Sequence, residues 1–225
     1  SNITIQSYIY WLRSSIPLLI NLLGKPMHKI VLASSSIYRK VLLETLHLPF
    51  SIASPMVDEQ NYAEKTPAEL AITLAKIKAK TVASRYPDHL IISSDQVAML
   101  NNQQLTKPGT VKNNIVQLKL CANQEVKFYT SISVLNTTTS EQITKLDITT
   151  VQFKALSDQQ IERYVHIEPS IHCAGGFQVE KRGIALFERI HTEDPNALIG
   201  LPLIKLISIL EHFNVNIFYP ELEPS

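Results

Sequence analysis

Cysteine is scarce in this chain. Cys121 and Cys173 are its only two, too few for a disulfide framework, and that scarcity fits a reducing compartment. Beside His172 they supply too few closely spaced ligands for a structural zinc site, so both read as small core residues. An excess of either charge is also lacking: 21 Lys and Arg stand against 20 Asp and Glu, a formal net charge of +1. That balance creates no long-range field to gather nucleic acid. There is no internal repeat, no low-complexity tract and no G-x-G-x-x-G fingerprint; the glycines of Ile171-His-Cys-Ala-Gly-Gly-Phe177 mark a turn instead. Tyr8–Leu23 is apolar and aromatic, but Arg13 and Pro17 interrupt it, and it falls short of the ~20 residues that a spanning helix needs. It also lacks the basic lead-in and the small-residue cleavage site of a signal peptide. The segment reads as an extra helix packed on the domain, or as sequence upstream of a start near Met27. A membrane-surface role is the weaker reading.

What is present is an alternation of strand and helix signals. With 225 residues the chain can bury a sizeable core as one large α/β domain or two small ones. Ile30–Leu32 reads as a short strand, and Ile37–Leu46 as an amphipathic helix capped by Ser36, with Val41, Leu42 and Leu46 inward. Arg39 and Lys40 then fall in the first helical turn, where positive charge opposes the macrodipole by roughly 0.3–1 kcal/mol apiece. Helix-start amides, hydroxyls and two cations together suit a bound phosphate; solvated surface charge accounts for them equally well. Pro67 opens a long helix to Ser84. Its apolar stripe holds Leu70, Leu74, Ile77 and Thr81, and Lys78 falls within that stripe while Lys76 and Lys80 face solvent. A lysine so placed snorkels or meets an anion in a cleft.

Further on, Val111–Cys121 has helical periodicity, and Val126–Leu135 and Ile143–Phe153 read as a hairpin. Ser157 and Gln160 make a capping box for a helix to His166. Ile184–Ile190 reads as a strand. Gly200 and Pro202 begin a last helix with Ile204, Ile207 and Leu210 inward.

The stretch that organises the rest is His89–Leu100. Leu90-Ile-Ile92 reads as a short strand buried on both faces, followed by four polar residues, Ser93 to Gln96, before apolar residues resume at Val97. A buried Asp95 costs desolvation unless it is paired, hydrogen-bonded or metal-bound. Lys107, held out of helix by Pro108, is a candidate companion.

Leu32-Ala-Ser-Ser-Ser-Ile-Tyr-Arg-Lys40, Val57-Asp-Glu59, Leu74-Ala-Lys-Ile-Lys-Ala79, Ser94-Asp-Gln-Val97, Lys107-Pro108 and Gly200-Leu-Pro-Leu203 together resemble the Maf proteins, nucleoside triphosphate pyrophosphatases. The resemblance spans about Lys29 to Phe213. Asp95-Gln96, His172-Cys-Ala-Gly175, Leu186-Phe-Glu-Arg189 and Asp194-Pro-Asn196 are similar to the 7-methyl-GTP pyrophosphatase branch. The resemblance implies a two-lobed Maf/Ham1-like α/β fold on an elongated mixed sheet, with a nucleotide cleft between the lobes, in a cytoplasmic enzyme that is commonly a homodimer. Residues 1–28 would then be an extension, 29–219 the pyrophosphatase domain and 220–225 a tail.

It also implies hydrolysis of the α–β phosphoanhydride with a divalent metal, Mg²⁺ or Mn²⁺. Asp95 matches the family's proton acceptor, Glu59 a second active-site acid, and Lys107 a cation of the catalytic set. Glu59 and Asp95 are the implied metal ligands. Ser34, Arg39 and Lys78 match positions facing phosphate, and Tyr38, Gln96 and Glu180 match positions tied to base choice, with Gln96 offering amide hydrogen bonds to the base edge. Departures fall at Ile37, where proline is usual, at Tyr38, where this branch has Trp, at Lys40 for Arg, at Ile77 for an acid and at Ser93 for glycine. Hydrolysis of dTTP, UTP or another noncanonical nucleotide is the alternative activity, and nucleotide-binding regulation of cell division without turnover is the alternative of another class.

Overall fold

The computed structural model describes residues 28–58, 62 and 65–218. The apolar stretch Tyr8–Leu23, Glu59 and the tail 220–225 lie outside the described residues. In chain order the elements are β1 (Lys29–Ala33), α1 (Ile37–Glu44), β2 (Phe50–Ala53), α2 (Pro67–Ala83), β3 (His89–Leu100), β4 (Gln103–Leu105), α3 (Val111–Cys121), β5 (Glu125–Asn136), β6 (Gln142–Phe153), α4 (Asp158–Ile167), β7 (Phe187–His191) and α5 (Leu203–His212). Short 3₁₀ turns occupy Ala174–Gly176 and Arg182–Leu186.

The strands form one mixed sheet in the order β2-β1-β3-β5-β6-β7, with β4 on β3. β2, β1 and β3 run parallel, and the remaining pairs are antiparallel. The mixed α/β architecture expected from the sequence is present.

β3 is longer than the apolar run Leu90–Ile92, because each polar residue after that run finds a partner on the face to which the strand's period of two assigns it. Ser93 Oγ donates to the Ala75 carbonyl of α2 (2.6 Å), and Asp95 pairs with Lys78 of the same helix. On the opposite face Ser94 Oγ donates to the Gly200 carbonyl (2.7 Å), and Gln96 Nε2 donates to the Ala197 and Leu198 carbonyls. Buried polar groups so satisfied do not interrupt a strand.

The same four residues divide the core. On the even-numbered face, Leu90 and Ile92 pack with Leu42, Leu43, Leu206 and Leu210, whereas Ala98 and Leu100 pack with Leu118, Phe128, Phe153 and Phe177. On the odd-numbered face, Ile91 joins Val31 and Val82 in one cluster and Val97 joins Leu70 and Leu74 in another. The polar band therefore marks the boundary between two lobes on both sides of the sheet.

Four helix and strand expectations are corrected. In α1, Val41 is 53% exposed and Leu42 and Leu43 are the buried pair; in α5, Ile204 is 58% exposed and Leu203, Leu206, Ile209 and Leu210 are buried. Both helices carry adjacent apolar residues, so periodicity alone cannot choose the face. Thr81 of α2 is exposed, the buried side being set by Leu70, Ala71, Leu74, Ala75, Ala79 and Val82. The expected strand from Ile184 begins only at Phe187, after the 3₁₀ turn.

Candidate active site

β5 covers one edge of β3 from Leu90 to Leu100. On the other edge β1 ends its pairing at Ile92, and β4 begins its own at Ala98. Among the described residues, Ser93–Val97 thus have no strand partner on that side, and a cleft of about 530 Å³ opens against this gap. The gap lies beyond the carboxyl end of β1, where open α/β sheets commonly admit ligands. Ser34–Ser36, Tyr38, Arg39, Lys78, Asp95, Gln96, Lys107, Cys173, Phe177 and Glu180 are among the residues lining it.

One wall is cationic and hydroxylated. Ser34 Oγ accepts from the Ser36 amide (3.1 Å), which leaves its own proton to donate, and Ser36 caps α1 by accepting from the Arg39 amide (3.4 Å). Arg39 Nε donates to the Gly200 carbonyl (2.9 Å), fixing the plane of the guanidinium. Gly200 adopts φ +124°, and a Cβ there would stand 3.3 Å from Arg39 Nε, so the close approach and the backbone conformation both favour glycine. Lys78 and Asp95 form a hydrogen-bonded ion pair with side chains only 13% and 8% exposed. Lys107 is carried on an exposed turn tied down on both sides: the Gly109 amide donates to the Ile171 carbonyl (2.9 Å), and Asn113 Nδ2 donates to the Pro108 carbonyl (3.0 Å).

The other wall is aromatic and amide-bearing. Phe177 is held edge-on against Phe128, Phe153 and Phe187, with centroids 4.8–5.8 Å apart, and so anchors the segment from His172 to Glu180 in the core. Gly176 (φ +78°) turns that segment so closely over α3 that a Cβ would meet Asn114 Oδ1 at 2.1 Å. Tyr38 Oη accepts from Gln178 Nε2 (2.7 Å). Burial first, then hydrogen bonding with Cys173, raises the Tyr38 hydroxyl above its ordinary range, so the ring remains an uncharged π face at neutral pH. Burial likewise raises the Cys173 thiol, which disfavours the thiolate that a nucleophile needs.

Every residue matched to the family's site lines this cleft except Glu59, which lies outside the described residues. Three details differ from expectation, and one contact was not anticipated. Lys40 turns to Glu44 (3.5 Å) rather than into the cleft. Cys121 is a core residue, its thiol pushed by burial up to about 12, but Cys173 is half-buried on the cleft wall because its segment turns at Gly175 and Gly176. Gln96 gives its amide nitrogen to Thr130 Oγ1 (3.0 Å) and to the carbonyls of Ala197 (3.0 Å) and Leu198 (3.1 Å). Only its Oε1 is left to read a ligand, as an acceptor. Gln178, which holds Tyr38, was not singled out by sequence; nothing in the spacing of 38 and 178 signals the contact.

Among the described residues, no group of three or more His, Cys, Asp or Glu is placed to hold a metal, and no helix is long and apolar enough to cross a membrane. A Mg²⁺ ion bound mainly through a ligand's phosphates needs only one or two carboxylates; Asp95, beside the cationic wall, fits that role.

The family described as Maf-like protein matches residues 29–213. A 7-methyl-GTP pyrophosphatase from Hahella chejuensis (strain KCTC 2396) is 46% identical over 187 residues, covering 83% of this chain and 94% of that protein. One from Xanthomonas axonopodis pv. citri (strain 306) is 46% identical over 184 residues, covering 82% of this chain and 96% of its own. Among solved structures, a HAM1 protein from Coxiella burnetii aligns with a TM-score of 0.45 at 14% identity, over 83% of this chain and 100% of that one.

Proposed function

The chain belongs to the Maf family, and from that premise we propose that it hydrolyses 7-methyl-GTP to 7-methyl-GMP and pyrophosphate. The observation that carries the reading is the division of labour along β3, where Asp95 meets the cation Lys78 on one face and Gln96 presents an acceptor on the other, both at one gap in the sheet.

In this scheme Asp95 is the proton acceptor. The water oxygen bonds to the α-phosphorus, the bond from that phosphorus to the α–β bridging oxygen breaks, and the water proton passes to Asp95. Pyrophosphate leaves with the bridging oxygen and its electron pair. Ser34, Arg39, Lys78 and Lys107 bind the phosphates and stabilise the charge that develops on them. Asp95, with Glu59 assigned from sequence, would hold Mg²⁺ or Mn²⁺, which adds charge neutralisation on the phosphates when bound.

The base lies against Tyr38. N7-methylation makes guanine cationic, and an aromatic face attracts a cation by ~0.5–2 kcal/mol, Trp more than Tyr. Glu180, at the exposed rim, adds an opposite charge. Gln96 Oε1 accepts from the amino edge of guanine, a donor that thymine and uracil lack. We assign the activity to residues 29–219 and, from the free thiols Cys121 and Cys173, to a reducing, cytoplasmic setting.

The test is a pyrophosphate-release panel of methylated and unmethylated nucleotides, with and without Mg²⁺ or Mn²⁺, on the whole chain and on one starting at Met27. Wild type should prefer 7-methyl-GTP over GTP, and the shorter chain should match it. Glu180→Gln should blunt the preference, and Tyr38→Trp should keep or sharpen it. A better rate on dTTP or UTP would transfer the assignment to that activity, and binding without release of pyrophosphate would favour a regulator.

A second expected result concerns Arg39. Gly200→Ala forces a side chain into a left-handed backbone position and against Arg39 Nε, so KM for the nucleotide should rise about tenfold. An unchanged KM would show that the position of Arg39 does not govern phosphate binding.

A further inference from the structure

Asp194 lies outside the cleft wall and is fully buried. Its carboxylate serves two segments at once. Oδ1 accepts from the Asn196 amide (2.9 Å) and from Asn196 Nδ2 (3.0 Å), while Oδ2 accepts from the Ile204 amide (2.7 Å) in the first turn of α5. The N-cap position of that helix is Pro202, which supplies no side-chain cap, so the Ile204 amide is capped from ten residues upstream. The loop between the two anchors is wound further by Asn196, whose carbonyl accepts from the amides of Ile199 (3.1 Å) and Gly200 (3.2 Å), and by the Asp194 carbonyl, which accepts from Ala197 (3.0 Å).

The loop so held turns its carbonyls toward the site. Those of Ala197 and Leu198 take the Gln96 amide nitrogen, and that of Gly200 takes Arg39 Nε and Ser94 Oγ. Two carbonyl acceptors decide which way the Gln96 amide points: a flipped amide would set its oxygen against both. One loop therefore orients the acceptor at the base end and the guanidinium at the phosphate end.

We propose that Asp194 is a positioning residue that sets substrate affinity and base selectivity through the 196–200 loop, by fixing the Gln96 amide and the Arg39 guanidinium. The inference rests on the proposed function for the roles of Gln96 and Arg39 and for which nucleotides are compared. The competing account is a helix cap and nothing more, which would affect stability alone.

The experiment measures kcat, KM and Tm for Asp194→Asn, Asn196→Ala and Leu206→Ala, the last removing a buried side chain from α5 that makes none of the loop's hydrogen bonds. Selectivity is the kcat/KM ratio over the pair of nucleotides that wild type separates most strongly, or the Kd ratio if it turns none over. A wild type without preference for the methylated base thus counts against the proposed substrate while still testing Asp194. Asp194→Asn should raise KM about tenfold and lower selectivity by a similar factor, with kcat moving far less. Asn196→Ala, which retains the Asn196 carbonyl, should shift both in the same direction more mildly, and it decides the matter if Asp194→Asn does not fold. Leu206→Ala should lower Tm and leave selectivity intact. Adding Asp194→Asn to Gln96→Leu should change selectivity no further than Gln96→Leu alone. Wild-type selectivity in folded Asp194→Asn or Asn196→Ala, equal loss of selectivity in Leu206→Ala, or additive losses in the double variant would overturn the proposal.

Discussion

Asp95→Asn is expected to lower kcat by ~10²-fold or more while KM moves far less. The substitution is nearly isosteric and keeps an oxygen that can accept from Lys78, so α2 should stay docked on β3. What it removes is the ability to take a proton from water. The rate should be measured at saturating nucleotide, beside a thermal melt showing that the variant is folded. A folded variant turning over at close to the wild-type rate would remove Asp95 from the chemistry and leave it a structural partner of Lys78.

Lys78→Met should damage both stability and activity. The Lys78–Asp95 pair is nearly buried on both sides, and deleting one member of a buried pair costs about 3–5 kcal/mol, because the remaining charge stays desolvated. For a domain of this size each kcal/mol lowers Tm by roughly 2–4 °C, so a fall of about 10 °C is expected. Turnover should fall as well, since the same ammonium is assigned to the phosphates. The double variant Lys78→Met/Asp95→Asn separates the two effects: it should regain much of the lost stability, because no buried carboxylate has then lost its ammonium, and remain inactive. If Lys78→Met melts with the wild type, the pair contributes nothing and its place in the site is decorative.

Much of the candidate site was legible because charged residues in apolar contexts are costly and stand out. Lys78 falls within the apolar stripe of α2 and Asp95 follows a buried strand run; each is anomalous alone, and the structure pairs them. The faces of α1 and α5 were not legible, since Val41-Leu42-Leu43 and Leu203-Ile204 offer a hydrophobic residue at whichever angle the helix docks. The continuity of β3 through Ser93–Gln96 was hidden for a different reason. Its partners are backbone carbonyls of Ala75, Ala197, Leu198 and Gly200, and a carbonyl carries no residue identity to read. The same holds for the Ile204 amide that Asp194 caps. The contact of Tyr38 with Gln178 spans 140 positions and has no local pattern to announce it.

The polar band across β3 separates two apolar cores, yet the strand ladder crosses it without a break: β5 pairs with β3 through every position from Leu90 to Leu100, and β6 with β5 from Glu125 to Leu135. The lobes are therefore welded rather than hinged. Opening the cleft by swinging one lobe away would break or shear that ladder at Asp95↔Ser131 and Gln96↔Thr130, so the two halves cannot part as independently moving domains. The cleft is consequently a notch in one continuous sheet rather than a gap between two separate domains.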